Sequence, residues 1–442
     1  MATKLLIFGI TGDLSTRKLL PALREIIQVE EFRSLELFGV SRREVDESAL
    51  LGDLAPNTTI ITMDIAQLEQ YRTLKTKLNM AEDDQLLVYL SVPPRAATQI
   101  VDFLGEAGLN DKRVKILFEK PFGLDLAGAK EMVARTERYF DEAQIYRIDH
   151  YMAKEMAQNI VAFRAHNALF SHVWNRQAIE RIEVNAFEQI DIEGRAQFYE
   201  QTGALRDVLQ GHLMQLLALV LMDAPSNIDW QKLPDYRQAA LDALQPVAID
   251  HGFRAQYKGY ADEVQAPRSC VETFVSVVLY SQQSRWRGVP LQLTTGKALD
   301  QKRTEIKVYF KRQSSSQTDF LTFKIQPHEG IEIALNTKAP GYDNKLAEQR
   351  LQFTYPEDVA LPDAYEQVIV DAIRSRKSLF TSGGEIIRSW QILQPLVEHW
   401  SMCPPDIAHY QKGESAEAIL LREWPERGRR LASQRLARFV LQ

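Results

Sequence analysis

In the first third of the chain, short apolar runs alternate with longer mixed stretches. KLLIFGI, LELFGVS, TIITMDI, LLVYLSV and VKILFEK each precede a segment of helical character. Apolar runs of this length suit strands buried on both faces, and helices between them suit right-handed crossovers, so the pattern predicts an α/β, doubly wound parallel sheet of Rossmann type. After about residue 150 the rhythm changes. A long helical region, EMAQNIVAFRAHNALF, leads to the strand RIEVNAFEQ and the helix GALRDVLQGHLMQLLALVLM, then to CVETFVSVVLYS, TEIKVYFKR, FLTFKIQP and GIEIALNT in hairpin-like succession. That half predicts an α+β domain with a large, mainly antiparallel sheet and helices. The expected division is a nucleotide-type domain over residues 1–148 and the α+β domain over 149–442. No internal repeat is evident, and QSSSQ at Gln313–Gln317 reads as an exposed turn.

Composition narrows the classes. A chain of 442 residues can bury large cores and favours two domains over one. The net charge of -6 is diluted along it, and no basic tract carries interleaved aromatics, so nucleic acid is not an expected partner. Any anionic ligand must then be held by a local pocket. Cys270 and Cys403 match no metal-ligand or redox spacing, which fits a reducing compartment and excludes a disulfide framework as the organising principle. MATKLLIFG starts a strand almost at once, leaving no room for a signal peptide, and the apolar run Leu213–Met222 falls short of the roughly 20 residues of a membrane span. The expectation is a cytoplasmic protein with no membrane partner.

Three stretches carry candidate chemistry. In FGITGDLSTRK, Gly9 and Gly12 permit the tight turn and close backbone approach that a pyrophosphate at a helix N-terminus requires. Asp13 and Leu14 complete the loop, and Ser15 is small enough for the place where a third glycine usually packs. At the end of the second strand, FGVSRRE supplies Arg42 and Arg43 where a carboxylate would take the ribose hydroxyls of NAD. Guanidinium groups suit a 2′-phosphate, so NADP is expected, with NAD as a weaker alternative kept open by Glu44. In RIDHYMAKE, a helix beginning at Asp149 would place His150 and Lys154 on one face with Tyr151 beside them, a grip for a phosphate; the alternative is an Asp N-cap with a mixed polar face.

GITGDLSTRKLLP, EKPFG, RIDHYMAKE, GALRDVLQGHLMQ and RWRGVPLQLTTGKALDQK, in this order, resemble the glucose-6-phosphate dehydrogenase family. The similarity runs from Leu5 to about residue 340 and returns in YEQVIVDAIRSRKSLF and SWQILQP. The resemblance implies oxidation of glucose 6-phosphate at C1 to 6-phosphogluconolactone with hydride transfer to NADP, the first step of the oxidative pentose phosphate pathway. It implies that His212 is the general base and Asp149 the carboxylate orienting it. Lys120 lies between coenzyme and sugar, and His150, Tyr151 and Lys154 hold the sugar phosphate. Glu188 and Asp207 accept hydrogen bonds from sugar hydroxyls, while Lys297, Lys302 and Gln326 line the same pocket. No metal is required, the second domain is the catalytic one and also the expected oligomer interface, and a homodimer or homotetramer is expected. A neutral imidazole is a suitable base because its reference pKa of about 6.5 lies close to working pH.

The chain departs from the family pattern in places. DHYLGKE is DHYMAKE, with Ala153; QNH is QGH, with Gly211; the arginine before TGK is replaced at Thr294; and FVRSDE reads FTSGGE, Phe380–Glu385. Two rival expectations stand beside this reading, the first from a shared architecture of Rossmann domain, EKP strand end and antiparallel sheet, the second from the changes at Ala153, Gly211 and Thr294. One is an NADP-dependent dehydrogenase of another sugar, of the Gfo/Idh/MocA type. The other is a catalytically impaired family member serving as a regulatory subunit.

Overall fold

The computed structural model describes residues 2–312, 318–356, 359, 361–402 and 407–424; the expected turn at Gln313–Gln317 lies outside the described residues. The chain forms two compact units, the first from Met1–Lys154, Asp229–Gln238 and Leu361–Ile387, the second from Glu155–Ile228, Ala239–Ala360 and Arg388–Gln442.

In the first unit β1 (Thr3–Phe8), β2 (Glu36–Ser41), β3 (Thr58–Thr62), β4 (Gln85–Leu90), β5 (Val114–Phe118) and β6 (Ile145–Ile148) run parallel in the order β6-β5-β4-β1-β2-β3. Winding reverses between β1 and β4, which opens a crevice at their carboxyl ends. Leu5, Ile7, Leu87 and Leu117 are buried in one core with Leu20, Leu23, Val368 and Ile369, each such side chain contributing about 1.5–3 kcal/mol. The parallel sheet is as the apolar runs predict.

The division of the chain is not. Residues 229–238 and 361–387, assigned from the sequence to the second domain, belong to the first unit. The two-residue strand Phe380–Thr381 adds antiparallel to β6 as a seventh strand. Buried cations tie these late segments in. Arg237 forms an ion pair with Glu385 at 2.7 Å, both side chains fully buried, and donates to the carbonyls of Ser378 and Phe380 at 2.6 Å. Lys115 donates to the Ala372 carbonyl at 2.6 Å and to the Ser375 hydroxyl at 2.7 Å, and burial lowers its pKa to about 8. Lys377 donates to the carbonyls of Glu142 and Ile145 over the face of Tyr146, and desolvation lowers its pKa to about 7.

In the second unit β7 (Ile179–Phe187), β8 (Gly252–Tyr257), β9 (Phe274–Leu279), β10 (Leu291–Gly296), β11 (Arg303–Phe310), β12 (Phe320–Gln326), β13 (Gly330–Lys338) and β14 (Leu346–Thr354) form one sheet, closed at one edge by Ala408–Tyr410. The order is β14-β13-β12-β11-β7-β10-β9-β8, antiparallel except for the β7–β10 pair and the edge strand on β8. The helical stretch Ala196–Leu221 packs on β7, β9 and β10. By length and mean hydropathy it would suffice to cross a membrane, but 83% of its apolar window is buried inside the protein, as in a core helix.

The stretch breaks at Gly203, which is not helical, and the segment after the break, Ala204–Leu221, has specific partners at both ends. Glu272 accepts the Leu205 N–H at 2.9 Å through its carboxylate and the Ala204 N–H through its carbonyl, and Gly203 (φ +62°) has no room for a side chain because a Cβ there would lie 2.5 Å from the Glu272 carboxylate. At the other end, Arg164 donates to the carbonyls of Leu219 (2.5 Å) and Met222 (2.6 Å), Trp174 to Val220 and Trp286 to Leu221, both at 2.9 Å. These are the terminal carbonyls that a helix cannot pair internally. Cys270 is disulfide-bonded, which its spacing in the sequence did not suggest; Cys403 lies outside the described residues.

The Arg237 network makes a stability prediction. Arg237→Ala strands a buried carboxylate and should cost about 3–5 kcal/mol, whereas Arg237→Met combined with Glu385→Leu should recover only the part due to the stranded charge, because the Ser378 and Phe380 carbonyls still lose their donor. Urea unfolding of the three proteins checks this, and equal losses for single and double variants would contradict it.

Candidate active site

The first unit offers a dinucleotide cradle. β1 ends at Phe8 and the chain turns at Gly9, whose φ is +84° and where a Cβ would sit 2.2 Å from the Ser91 carbonyl oxygen. Only glycine fits that position. The turn is pinned on both sides: the Gly9 N–H donates to the Val40 carbonyl at 3.3 Å, and the Ser15 hydroxyl donates to the Gly9 carbonyl at 2.9 Å and is hydrogen-bonded with the Ser91 hydroxyl at 3.0 Å. Ser15 is therefore more than a small residue in a glycine's place. It staples the turn to the end of β4, and it is fully buried. Asp13 and Leu14 open the helix, which continues through Ser15–Leu19 in wide turns and Leu20–Ile26 in α winding. Unpaired N–H groups at such a start, with no side chain at Gly9, fit a pyrophosphate. Ser41 closes β2, and Arg42 and Arg43 follow it, exposed and without an ion pair among the described residues.

RIDHYMAKE does not form the helix expected from Asp149. β6 ends at Ile148, residues 149–154 make turns, and the helix begins at Glu155. Asp149 causes this: its carboxylate accepts the Tyr151 N–H at 3.0 Å and its carbonyl the Met152 N–H at 3.0 Å, a local turn that competes with helix. His150 is exposed, Lys154 half-buried and Tyr151 buried, its ring 4.9 Å from that of His150. Arg147 faces away, buried against Glu142 at 2.8 Å. Lys120 lies two residues past the end of β5, half-buried.

In the second unit, strand register gathers the expected residues at one sheet end. Gly296 and Arg303 both pair with Phe187, and Thr304 pairs with Gln326. Glu188, Lys297, Lys302 and Gln326 therefore lie at the same end of the adjacent strands β10, β7, β11 and β12. Lys297 is buried and ion-paired with Glu188, and it sits 5.4 Å over the ring of Tyr199. Lys302 is exposed, and Gln326 donates to the Thr304 hydroxyl at 2.9 Å. Asp207 and His212 lie on the helical stretch across β7 and β10, His212 buried and Asp207 half-buried. Five positions are about 140° apart in α winding, but Leu205–Leu213 is wound in wide turns, which bring the two toward one face.

Tyr199 was not anticipated. It is fully buried, and burial followed by the charge of Asp207 pushes its phenol well above the usual range, with Glu188 adding to the shift. An aromatic eight positions before Asp207 gives no periodic signal on its own. Thr294, in place of the family's arginine, is absorbed by the sheet, where its hydroxyl pairs with Ser276 at 2.8 Å and takes a hydrogen bond from Gln292 at 3.1 Å.

Comparisons with known proteins bear on this arrangement. A family model described as "Glucose-6-phosphate dehydrogenase, C-terminal domain" matches residues 161–426, and one described as "Glucose-6-phosphate dehydrogenase, NAD binding domain" matches 6–59 and 47–159. The chain belongs to the glucose-6-phosphate dehydrogenase family. It is 31% identical to a glucose-6-phosphate 1-dehydrogenase of Chlamydia muridarum over 95% of each chain. A solved glucose-6-phosphate dehydrogenase in complex with its substrate glucose-6-phosphate superposes with a TM-score of 0.87 at 28% identity, covering 94% of this chain and 95% of that one. The glucose-6-phosphate 1-dehydrogenase from Mycobacterium avium gives a TM-score of 0.83 at 28% identity, over 95% and 96%. A pyridine nucleotide is the coenzyme class that goes with this membership and with the cradle at Gly9.

The cradle predicts an order of effects. Gly9→Ala meets both the positive φ and the Ser91 carbonyl, and should lose about 1–3 kcal/mol of stability together with most coenzyme affinity. Gly12→Ala, whose Cβ would lie 3.0 Å from the Gly9 oxygen, should be milder. Thermal unfolding and coenzyme titration by calorimetry check the order.

Proposed function

We propose that the chain oxidises the C1 hydroxyl of glucose 6-phosphate to 6-phosphogluconolactone with NADP as coenzyme. Family membership along nearly the whole chain carries this reading, and the residue roles rest on resemblance position by position. His212 takes the proton of the C1 hydroxyl, and Asp149 serves as the carboxylate that orients the imidazole and stabilises its charged form. When bound, the nicotinamide supplies the hydride acceptor. Gly9, Gly12, Asp13, Leu14 and Ser15 hold the pyrophosphate, and Arg42, with Arg43 as a second contact, holds the 2′-phosphate. Lys120 stands between coenzyme and sugar; His150, Tyr151 and Lys154 hold the phosphate; Glu188 and Asp207 accept from sugar hydroxyls; and Lys297, Lys302 and Gln326 complete the pocket. Binding energy at the phosphate becomes orientation at C1. A homodimer or homotetramer in the cytoplasm is the accompanying expectation.

The deciding experiment is NADP reduction by the purified protein with glucose 6-phosphate, beside free glucose and other sugar phosphates. Turnover of another sugar in preference would overturn the substrate assignment, and no turnover would overturn the reaction.

Three variants probe the roles. Arg42→Ala should weaken NADP far more than NAD, each lost charge-assisted hydrogen bond costing about 1.5–3 kcal/mol; equal weakening would remove the assignment. His212→Asn should fold and bind sugar phosphate but lose about 10²–10⁴ in turnover. Adding Asp149→Asn to it should cost little more, because the two act as one unit; kcat values that multiply would contradict that coupling.

A further inference from the structure

At the carboxyl ends of β4 and β5 the first unit holds a group that this mechanism leaves without a task. Glu119 precedes Lys120 and is half-buried. The hydroxyl of Tyr89, a fully buried residue of β4, donates a short hydrogen bond to its carboxylate. The charged and titratable groups that face Glu119 come from four elements: Tyr89 on β4, Lys120 next in the chain, Asp149 in the turn after β6, and Tyr365 on the helix Ala364–Ile373. Two carboxylates, Glu119 and Asp149, therefore act on each other beside one lysine. They are not equivalent. Asp149 accepts a backbone N–H at 3.0 Å, whereas the Glu119 carboxylate is held by a phenol.

We propose that Glu119 is a positioning residue for the reaction: gripped by the Tyr89 hydroxyl, its carboxylate sets the charge that Lys120 and Asp149 experience, and so fixes how Lys120 presents its ammonium. The inference rests on the functional reading above, which assigns Lys120 and Asp149 their roles. Desolvation raises the Glu119 pKa to about 7, with the Tyr89 bond opposing the rise and the Asp149 charge adding to it. Acidification through this range puts a proton on Glu119 and removes the negative charge next to Lys120. The acid side of the kcat/KM profile then requires two groups to be ionised correctly, Glu119 and the base.

The test compares wild type, Glu119→Gln and Tyr89→Phe. In wild type kcat/KM should lose an extra factor of about ten as pH falls through about 7, on top of the unit slope set by the base; in Glu119→Gln the acid limb should keep the unit slope without that extra step, from a plateau already about tenfold lower and with KM values little changed. Tyr89→Phe removes the bond that favours the carboxylate, so its acid limb should move to higher pH. Profiles that superimpose on wild type after scaling would overturn the proposal, as would a change in thermal stability alone. Carbon-13 NMR of glutamate carboxyl groups supplies a readout without turnover: a resonance titrating near pH 7 should vanish in Glu119→Gln and titrate higher in Tyr89→Phe. A wild type inactive on glucose 6-phosphate overturns the reaction and the positioning role together. Absence of that resonance in an active enzyme overturns the positioning role alone.

Discussion

A buried backbone carbonyl must find a donor, and much of this structure follows from how that demand is met. In the second unit the stretch carrying Asp207 and His212 ends deep in the protein, and its last carbonyls are taken by Arg164, Trp174 and Trp286. Burial lowers the pKa of the Arg164 guanidinium to about 9, and its two terminal nitrogens serve Leu219 and Met222 together. In the first unit the same demand is met by Lys115, Lys377 and Arg237, whose targets are mostly carbonyls of late or neighbouring segments. The cations are there to satisfy the backbone, and the ion pair with Glu385 makes Arg237 tolerable at full burial.

The residues proposed to act in the reaction inherit their positions from this frame. Glu188, Lys297, Lys302 and Gln326 converge because neighbouring strands share a register, so a one-residue slip of β7 or β11 would turn their partners to the opposite face. The helix bearing His212, the proposed base, is held by Glu272 at the Gly203 break and by the Arg164 group at its end, and wide winding in between sets its face. At Gly9, the Ser91 carbonyl fills the place of a side chain, and Ser15 locks the turn to β4. Rigid elements thus carry each group, which is what precise positioning needs.

Much of this was legible in the sequence, for physical reasons. Parallel strands buried on both faces leave unmistakable apolar runs, and the glycine turn announces itself by spacing. The family motifs named the candidate residues. What the sequence hid were long-range assignments and local competitions. Residues 361–387 carry ordinary helical periodicity, and nothing in it says that they pack on a sheet begun more than three hundred residues earlier. At Asp149 helical spacing misled, because a side chain that bonds to Tyr151 N–H outcompeted the helix. Ser15 was read as small when its hydroxyl matters, and Tyr199 had no pattern to betray it.

The discontinuous first unit also bears on how the protein is made. Its parallel sheet has its first six strands by Ile148, but the Phe380–Thr381 strand and the partners of Lys115 and Arg237 are encoded near the end of the chain. During synthesis, at about 5–20 residues per second, that gap leaves the edge of β6 uncovered for tens of seconds. An uncovered strand edge is a template for wrong pairing. The nascent chain therefore meets its greatest aggregation hazard while the second unit is being translated, and truncation before residue 387 would make the hazard permanent.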